Sequence, residues 1–77
     1  MPRNEQRPVE FSKHAVQRLE QRGIPVADAE QLIRHGAIRA DADCDFLAYG
    51  RINGRSVEVA CLDLGDRIRV KTAYIYG

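Results

Sequence analysis

The dipeptide Asn53-Gly54 constrains the fold of this chain more than any other short segment, because stretches of alternating apolar and polar residues flank it on both sides. Asn-Gly is a preferred pair for the two-residue turn of a β-hairpin. It predicts strands at Phe46–Ile52 and Arg55–Leu64, with Ile52 opposite Arg55. The pairing of these two strands therefore follows from the turn.

A second turn, at Gly65-Asp66, leads into a predicted strand at Arg67–Tyr76, and a further strand at Ala37–Ala42 precedes the acidic segment DADCD. If alternation continues without a break, one face of the sheet is mostly apolar and meets the helices. That predicted core face consists of Phe46, Ala48, Val57, Val59, Cys61, Ile68, Val70, Thr72 and Tyr74. The predicted open face consists of Tyr49, Arg51, Glu58, Ala60, Leu62, Arg69, Lys71 and Ile75.

Two helices precede the strands. Ser12 suits an N-cap, and the apolar spacing that follows predicts a helix to about Arg22, where Gly23 can end it. Pro25 suits the start of a second helix that ends near His35. The short connection predicts an αα-hairpin. We therefore predict an α+β fold in which an N-terminal αα-hairpin packs on one face of a four-stranded, mainly antiparallel sheet, in the order α-α-β-β-β-β.

The chain of 77 residues is short enough for one domain, predicted over residues 9–77, with residues 1–8 as a flexible tail. No apolar run approaches the roughly 20 residues needed to span a membrane, and the polar N-terminus does not resemble a signal peptide. Two cysteines without such a signal indicate reduced thiols and a cytoplasmic location. A net charge of +1 does not by itself indicate a nucleic-acid-binding protein.

No cofactor or metal is expected. The two histidines and two cysteines lack the paired spacing of a zinc site. Asp41, Asp43 and Asp45 resemble the start of a calcium loop, but the glycine and the closing glutamate are missing, so a solvated turn is the better interpretation.

His14 lies in the first turn of the predicted first helix. At about 100° per residue, His14 and Arg18 lie about 40° apart, beside Gln21 and away from the apolar stripe. The helix N-terminus favours a neutral imidazole, which can act as a base, and free N–H groups there can hold a phosphate oxygen. Alternatively, His14 is an ordinary surface residue, Arg18 pairs with Glu10 or Glu20, and Arg22 extends over the core.

The motif S-x-H-A-x-x-R-x-x-x-R-G-I (Ser12 to Ile24), followed by the YGRINGRSVEVACLDL hairpin and the V-x-T-A-Y strand (Val70 to Tyr74), resembles a family of small bacterial proteins known as DUF4258, a domain of unknown function. The resemblance covers about residues 10–76. It differs at Pro25, where the family usually has a serine or threonine cap. That family is thought to be related to the barnase, EndoU, colicin and RelE group of ribonucleases, many of them toxins.

The resemblance implies metal-independent cleavage of RNA through the 2′-hydroxyl, which requires a base, an acid and cations near the phosphate. The catalytic candidates are His14, Arg18, Arg22, Thr72 and Tyr74, with Tyr76 as a further candidate acid. The candidates for substrate binding are Arg51, Arg69, Lys71 and Tyr49, whose ring can stack on a base. The alternatives are that Thr72 and Tyr74 only pack in the core and that the cations keep an exposed face soluble.

The two sets of candidates are expected on opposite sides of the sheet, unless the start of the first helix reaches a sheet edge. The first functional hypothesis is a ribonuclease of toxin type, or a degenerate relative, with RNA and an antitoxin-like protein as partners and no membrane association. The second is a non-catalytic module of the same fold that binds RNA or a protein.

Overall fold

A computed structural model describes residues 7–76 of the chain. In chain order the elements are β1 Val9–Phe11, α1 Lys13–Gln21, α2 Val26–His35, β2 Ala37–Arg39, β3 Phe46–Ile52, β4 Arg55–Asp63 and β5 Ile68–Tyr76. The strands form one sheet in the order β1-β5-β4-β3-β2. The β1–β5 pair is parallel and the other pairs are antiparallel.

The predicted four-stranded, mainly antiparallel sheet is wrong, because the sheet formed by residues 7–76 is mixed and has five strands. The missed strand is β1, in which Val9 lies opposite Ile68 and Phe11 opposite Val70. Three residues carry too little periodicity to be recognised, and their partner strand lies at the other end of the chain. The α+β class is correct. Of the predicted tail, residues 1–6 lie outside the described part of the chain, while the carbonyl of Pro8 accepts a hydrogen bond from the Ile68 N–H at 3.0 Å.

Both helices lie on one face of the sheet, as predicted. The Ser12 hydroxyl accepts a hydrogen bond from the N–H of Ala15 at 3.0 Å and caps α1. Gly23 follows the helix with φ 70°, the left-handed conformation that ends it. Pro25 occupies the cap position of α2 and makes no side-chain cap bond. Of the two helices in residues 7–76, α1 therefore has its first turn fixed by a side chain and α2 does not.

The core fills the space between the helices and the sheet. It contains Ala15, Leu19, Ile24, Ala29, Ile33, Phe46, Ala48, Ile52, Val57, Val59, Cys61, Ile68, Val70 and Ala73. None of the helices in residues 7–76 is long and apolar enough to cross a membrane.

The Asn53-Gly54 hairpin forms as predicted. Both turn residues have positive φ, 53° and 81°, which fits the right-handed twist of the flanking strands. Ile52 lies opposite Arg55, so the predicted register of β3 and β4 is confirmed.

β2 is shorter than predicted, because the carboxylate of Asp41 accepts a hydrogen bond from the Asp43 N–H at 3.1 Å and starts a turn.

A β-bulge in β5 changes the faces of its last residues. Ala60 lies opposite Thr72 and Cys61 opposite Val70, so Lys71 is the extra residue. From Thr72 onward the alternation is therefore inverted. Ala73 and Ile75 pack in the core, whereas Thr72 and Tyr74 lie on the open face. The prediction that placed Thr72 and Tyr74 with the core and Ile75 on the open face is wrong, because it assumed unbroken alternation.

Candidate functional site

The start of α1 is attached to the bulge in β5. The N–H of Ser12 donates to the carbonyl of Val70 at 3.1 Å, and the Ser12 hydroxyl donates to the carbonyl of Lys71 at 2.9 Å. β1 pairs with β5 as far as Val70, so α1 begins where that pairing stops. The first turn of α1 therefore lies at a sheet edge, which is the condition under which His14 can approach strand residues.

The three helix candidates differ in exposure. His14 and Arg22 are exposed and Arg18 is half-buried. Within residues 7–76 their side chains make no hydrogen bond or ion pair. The alternative in which Glu10 neutralises Arg18 is not what the structure shows, because the Glu10 carboxylate binds Arg67 at 3.0 Å. The α1 cations are thus available to an anionic ligand.

The strand candidates Thr72 and Tyr74 lie on the open face, together with the predicted binding residues. Tyr49, Glu58 and Tyr74 form one row across β3, β4 and β5, and Tyr76 lies opposite Ser56 in the adjacent row. All three tyrosines of the chain are on this face and are 38% to 54% exposed. The bulge therefore converts two predicted core residues into surface residues.

Each predicted cation of the open face already has a partner. Arg51 donates to the carbonyl of Gly54 at 2.8 Å, and Arg69 lies 3.7 Å from the carboxylate of Glu10. The ammonium group of Lys71 donates to the carbonyl of Asp43 at 3.2 Å. These contacts are exposed, and an exposed ion pair such as Arg69–Glu10 contributes only about 0–1 kcal/mol, so an anionic ligand can compete for these cations.

The predicted candidates therefore form two sets. The helix set is His14, Arg18 and Arg22, on the helix side of the sheet, and the sheet set is Tyr49, Arg51, Arg69, Lys71, Thr72, Tyr74 and Tyr76, on the open side. The two sets approach each other where Ser12 binds Lys71.

The profile of a family described as a domain of unknown function, DUF4258, matches residues 11–75. The chain belongs to the DUF4258 family. No curated protein and no solved structure matches it. The match contains α1, the hairpin and β5 as far as Ile75, whereas Val9 and Glu10 of β1 precede it. The description of the DUF4258 family names no activity.

Sequence reasoning did not select Arg39, which belongs to the open face of this DUF4258 chain. Its guanidinium binds the carboxylate of Glu58 at 3.0 Å and lies 5.7 Å from the centre of the Tyr49 ring. Arg39 is on the short edge strand β2, and its neighbours follow only from the pairing of β2 with β3. The cation–π contact between Arg39 and Tyr49 therefore could not be predicted from the order of residues in the sequence.

The two cysteines are not candidates for a nucleophile. Burial raises the pKa of the Cys61 thiol to about 12 and also raises the pKa of Cys44. Both thiols are therefore protonated near neutral pH, whereas the reactive form of a cysteine is the thiolate. Among residues 7–76 there is also no cluster of three or more His, Cys, Asp or Glu side chains that could hold a metal ion.

Proposed function

We propose that this DUF4258 protein cleaves RNA through the 2′-hydroxyl, with His14 as the base and Arg18 as the phosphate-binding cation. The observation that carries the proposal is the attachment of the α1 N-terminus to the β5 edge through Ser12, combined with the absence of ion pairs for Arg18 within residues 7–76. A histidine, a cation and free helix N–H groups then lie along one turn of helix.

In the proposed reaction the imidazole of His14 takes the proton of the 2′-hydroxyl, whose oxygen attacks the adjacent phosphorus. The bond from phosphorus to the 5′-oxygen breaks, and that oxygen receives a proton from an acid. The products are a 2′,3′-cyclic phosphate and a free 5′-hydroxyl. Arg18 stabilises the charge on the non-bridging oxygens, and Arg22 extends the cationic stripe along α1.

The acid is proposed to come from the open face of β5, which the start of α1 approaches at the contact between Ser12 and Lys71. Thr72 follows the bulge residue directly and Tyr74 lies two residues further along the same face. A tyrosine phenol is the better proton donor of the two, so Tyr74 is the first candidate and Tyr76 the second. Lys71, Arg69, Arg51 and Tyr49 would then hold the RNA strand on the open face.

The test is cleavage of RNA by purified protein in the presence of EDTA, followed by analysis of the product ends. The wild type is expected to produce 2′,3′-cyclic phosphate ends, and His14→Ala is expected to lose at least about 100-fold in rate, the usual contribution of a general base. Gln17→Ala, an exposed residue on the same helix, is the matched control and should keep full activity. Equal cleavage by wild type and His14→Ala would remove His14 from the mechanism.

The second candidate function is a non-catalytic RNA-binding module, favoured by the three exposed tyrosines and Arg39 on the open face. Bases stacked on aromatic rings contribute about 1–3 kcal/mol each. Salt-dependent binding of RNA without cleavage, weakened by Tyr74→Ala and unchanged by His14→Ala, would establish this function instead.

An antitoxin-like protein partner belongs to the toxin form of the first proposal, and growth arrest on expression of the wild type but not of His14→Ala would support it.

A further inference from the structure

A notch of about 430 Å³ lies between α2 and the β3–β4 hairpin, toward the edge of the sheet that is opposite to β1. It forms because β2 pairs with β3 only as far as Tyr49, so Gly50, Arg51 and Ile52 pair with β4 alone within the described residues. The volume is within the range of about 300–1,000 Å³ that is typical of small-molecule pockets.

Polar side chains from both elements converge on the notch. From α2 come Asp28, Gln31 and His35, spaced three and four residues apart on one stripe of the helix. From the hairpin come Arg51 and Asn53, and Asn53 is held in the left-handed conformation by the turn. The site therefore combines one carboxylate, two amides, one imidazole and one guanidinium.

Most of these groups have no partner in the described part of the chain. Within residues 7–76 the side chains of Asp28, Gln31, His35 and Asn53 make no hydrogen bond or ion pair. In contrast, the carboxylate of Glu30, also on α2, forms an ion pair with Arg34 at 2.9 Å. The hydrogen-bonding capacity of the notch is thus left for water or a ligand.

The floor of the notch is apolar. Ile52 is buried and Leu32 is half-buried, and the absence of a side chain at Gly50 allows Leu32 to pack directly against β3. An apolar floor with hydrogen-bonding groups around it suits a heterocyclic base, and a nearby guanidinium suits a phosphate.

We infer that the notch binds a nucleotide, with the base on Leu32 and Ile52, the carboxylate of Asp28 accepting hydrogen bonds from base N–H groups, and Arg51 holding the phosphate. Guanine fits best, because its N1–H and exocyclic amino group are adjacent donors that one carboxylate can accept together. The inference does not depend on cleavage at His14. The nucleotide can be a free molecule or one residue of an RNA strand, and only the second source rests on the proposed function.

The test is a titration of the full-length ¹⁵N-labelled protein with guanosine 5′-monophosphate, followed by NMR. Saturable shifts are expected at the amides of Asp28, Gln31, His35 and Asn53. Asp28→Asn should weaken binding at least about tenfold, since a charge-assisted pair of hydrogen bonds is lost. Glu20→Gln, an exposed acid on α1, is the matched control and should bind like the wild type.

Two further ligands decide the outcome together with the Asp28→Asn variant. Adenosine 5′-monophosphate should bind more weakly than the guanosine compound, and inorganic phosphate alone should not reproduce the shifts. Equal effects of phosphate, unchanged binding by Asp28→Asn, or no shifts around the notch would each overturn the inference. Thermal unfolding of Asp28→Asn checks that its fold is intact, because Asp28 also lies in the first turn of α2.

A short oligoribonucleotide with one guanosine separates the two sources. If the ligand is a residue of RNA, the oligonucleotide binds more tightly than the mononucleotide, and shifts extend to Tyr49 and Tyr76. If the ligand is a free nucleotide, the mononucleotide binds at least as tightly and the amides of Tyr49 and Tyr76 do not shift. Cleavage that depends on His14, with no binding at the notch, would reject this inference and leave the proposed function intact.

Discussion

At the scale of single residues, two glycines lie where a side chain would collide with Leu32 of α2. A Cβ at Gly36 would lie 2.6 Å from the carbonyl oxygen of Leu32, and a Cβ at Gly50 would lie 2.6 Å from the Cδ2 atom of Leu32. Gly36 has φ −82° and ψ −179°, a conformation open to most residues, so its requirement is steric. The two contacts are equally short but differ in what must move.

Gly36→Ala is expected to destabilise the protein by about 1–3 kcal/mol, because the clashing atom belongs to the helix backbone. Gly50→Ala is expected to cost less, about 1 kcal/mol, since the end of the Leu32 side chain can rotate away. Urea denaturation followed by circular dichroism measures both. A larger loss for Gly50→Ala would contradict the distinction between backbone and side-chain contacts.

At the scale of elements, the bulge at Lys71 decides which residues of β5 are buried. Ala73 has no exposed surface, whereas Tyr74 is 42% exposed. The bulge also places the Lys71 carbonyl where the Ser12 hydroxyl can bind it. One extra residue therefore sets the faces of the strand and positions the start of α1.

The bulge can be tested by placing threonine on either side of it. Ala73→Thr should cost about 1–3 kcal/mol, because extra atoms enter a filled core. Tyr74→Thr should cost less than about 1 kcal/mol, since surface substitutions are usually small in effect. Thermal unfolding of both variants measures the difference. An unbroken strand predicts the opposite order of stability.

At the scale of the whole molecule, Arg7 connects the N-terminal strand to two distant parts of the fold. Its guanidinium binds the carboxylate of Asp63 at 2.7 Å, and its carbonyl accepts a hydrogen bond from Arg34 of α2 at 3.0 Å. The residue that leads into β1 is thus linked to the β4–β5 turn and to a helix. These contacts favour the parallel pairing that the local sequence does not indicate.

The Arg7–Asp63 pair predicts a pH dependence. The hydrogen bond from Arg7, with a second from the Gly65 N–H, lowers the pKa of Asp63 below its ordinary value of 3.8. The stabilisation is therefore complete above about pH 3.8 and is lost as pH falls through the lower, folded-state pKa. An NMR titration of the Asp63 carboxyl carbon should show the low pKa.

In the Arg7→Ala variant the pKa of Asp63 should rise toward 3.8, whereas Arg67→Ala, which removes a neighbouring cation without a bond to Asp63, should leave it low. If the pKa of Asp63 is unchanged in Arg7→Ala, the pair does not determine it.

The sequence by itself determined the α+β class, the two helices, and the register at Asn53-Gly54, because caps, helical periodicity and turn chemistry are local properties of a few adjacent residues. It also identified His14 and Arg18 as a polar stripe, since helix geometry fixes their angle. The sequence pattern did not indicate that the Ser12 hydroxyl would also bind β5.

Only the tertiary structure decided where β1 pairs, which way Thr72 and Tyr74 face, and that Asp28, His35 and Arg51 line one notch. A three-residue strand depends on its distant partner, and a bulge is fixed by the strand opposite it rather than by its own residues. The notch exists because, within residues 7–76, β2 begins only opposite Tyr49 and leaves the end of β3 unpaired on that edge beside α2, which is a relation between elements far apart in the chain. Local chemistry therefore determined the elements, and long-range packing determined which of their side chains meet.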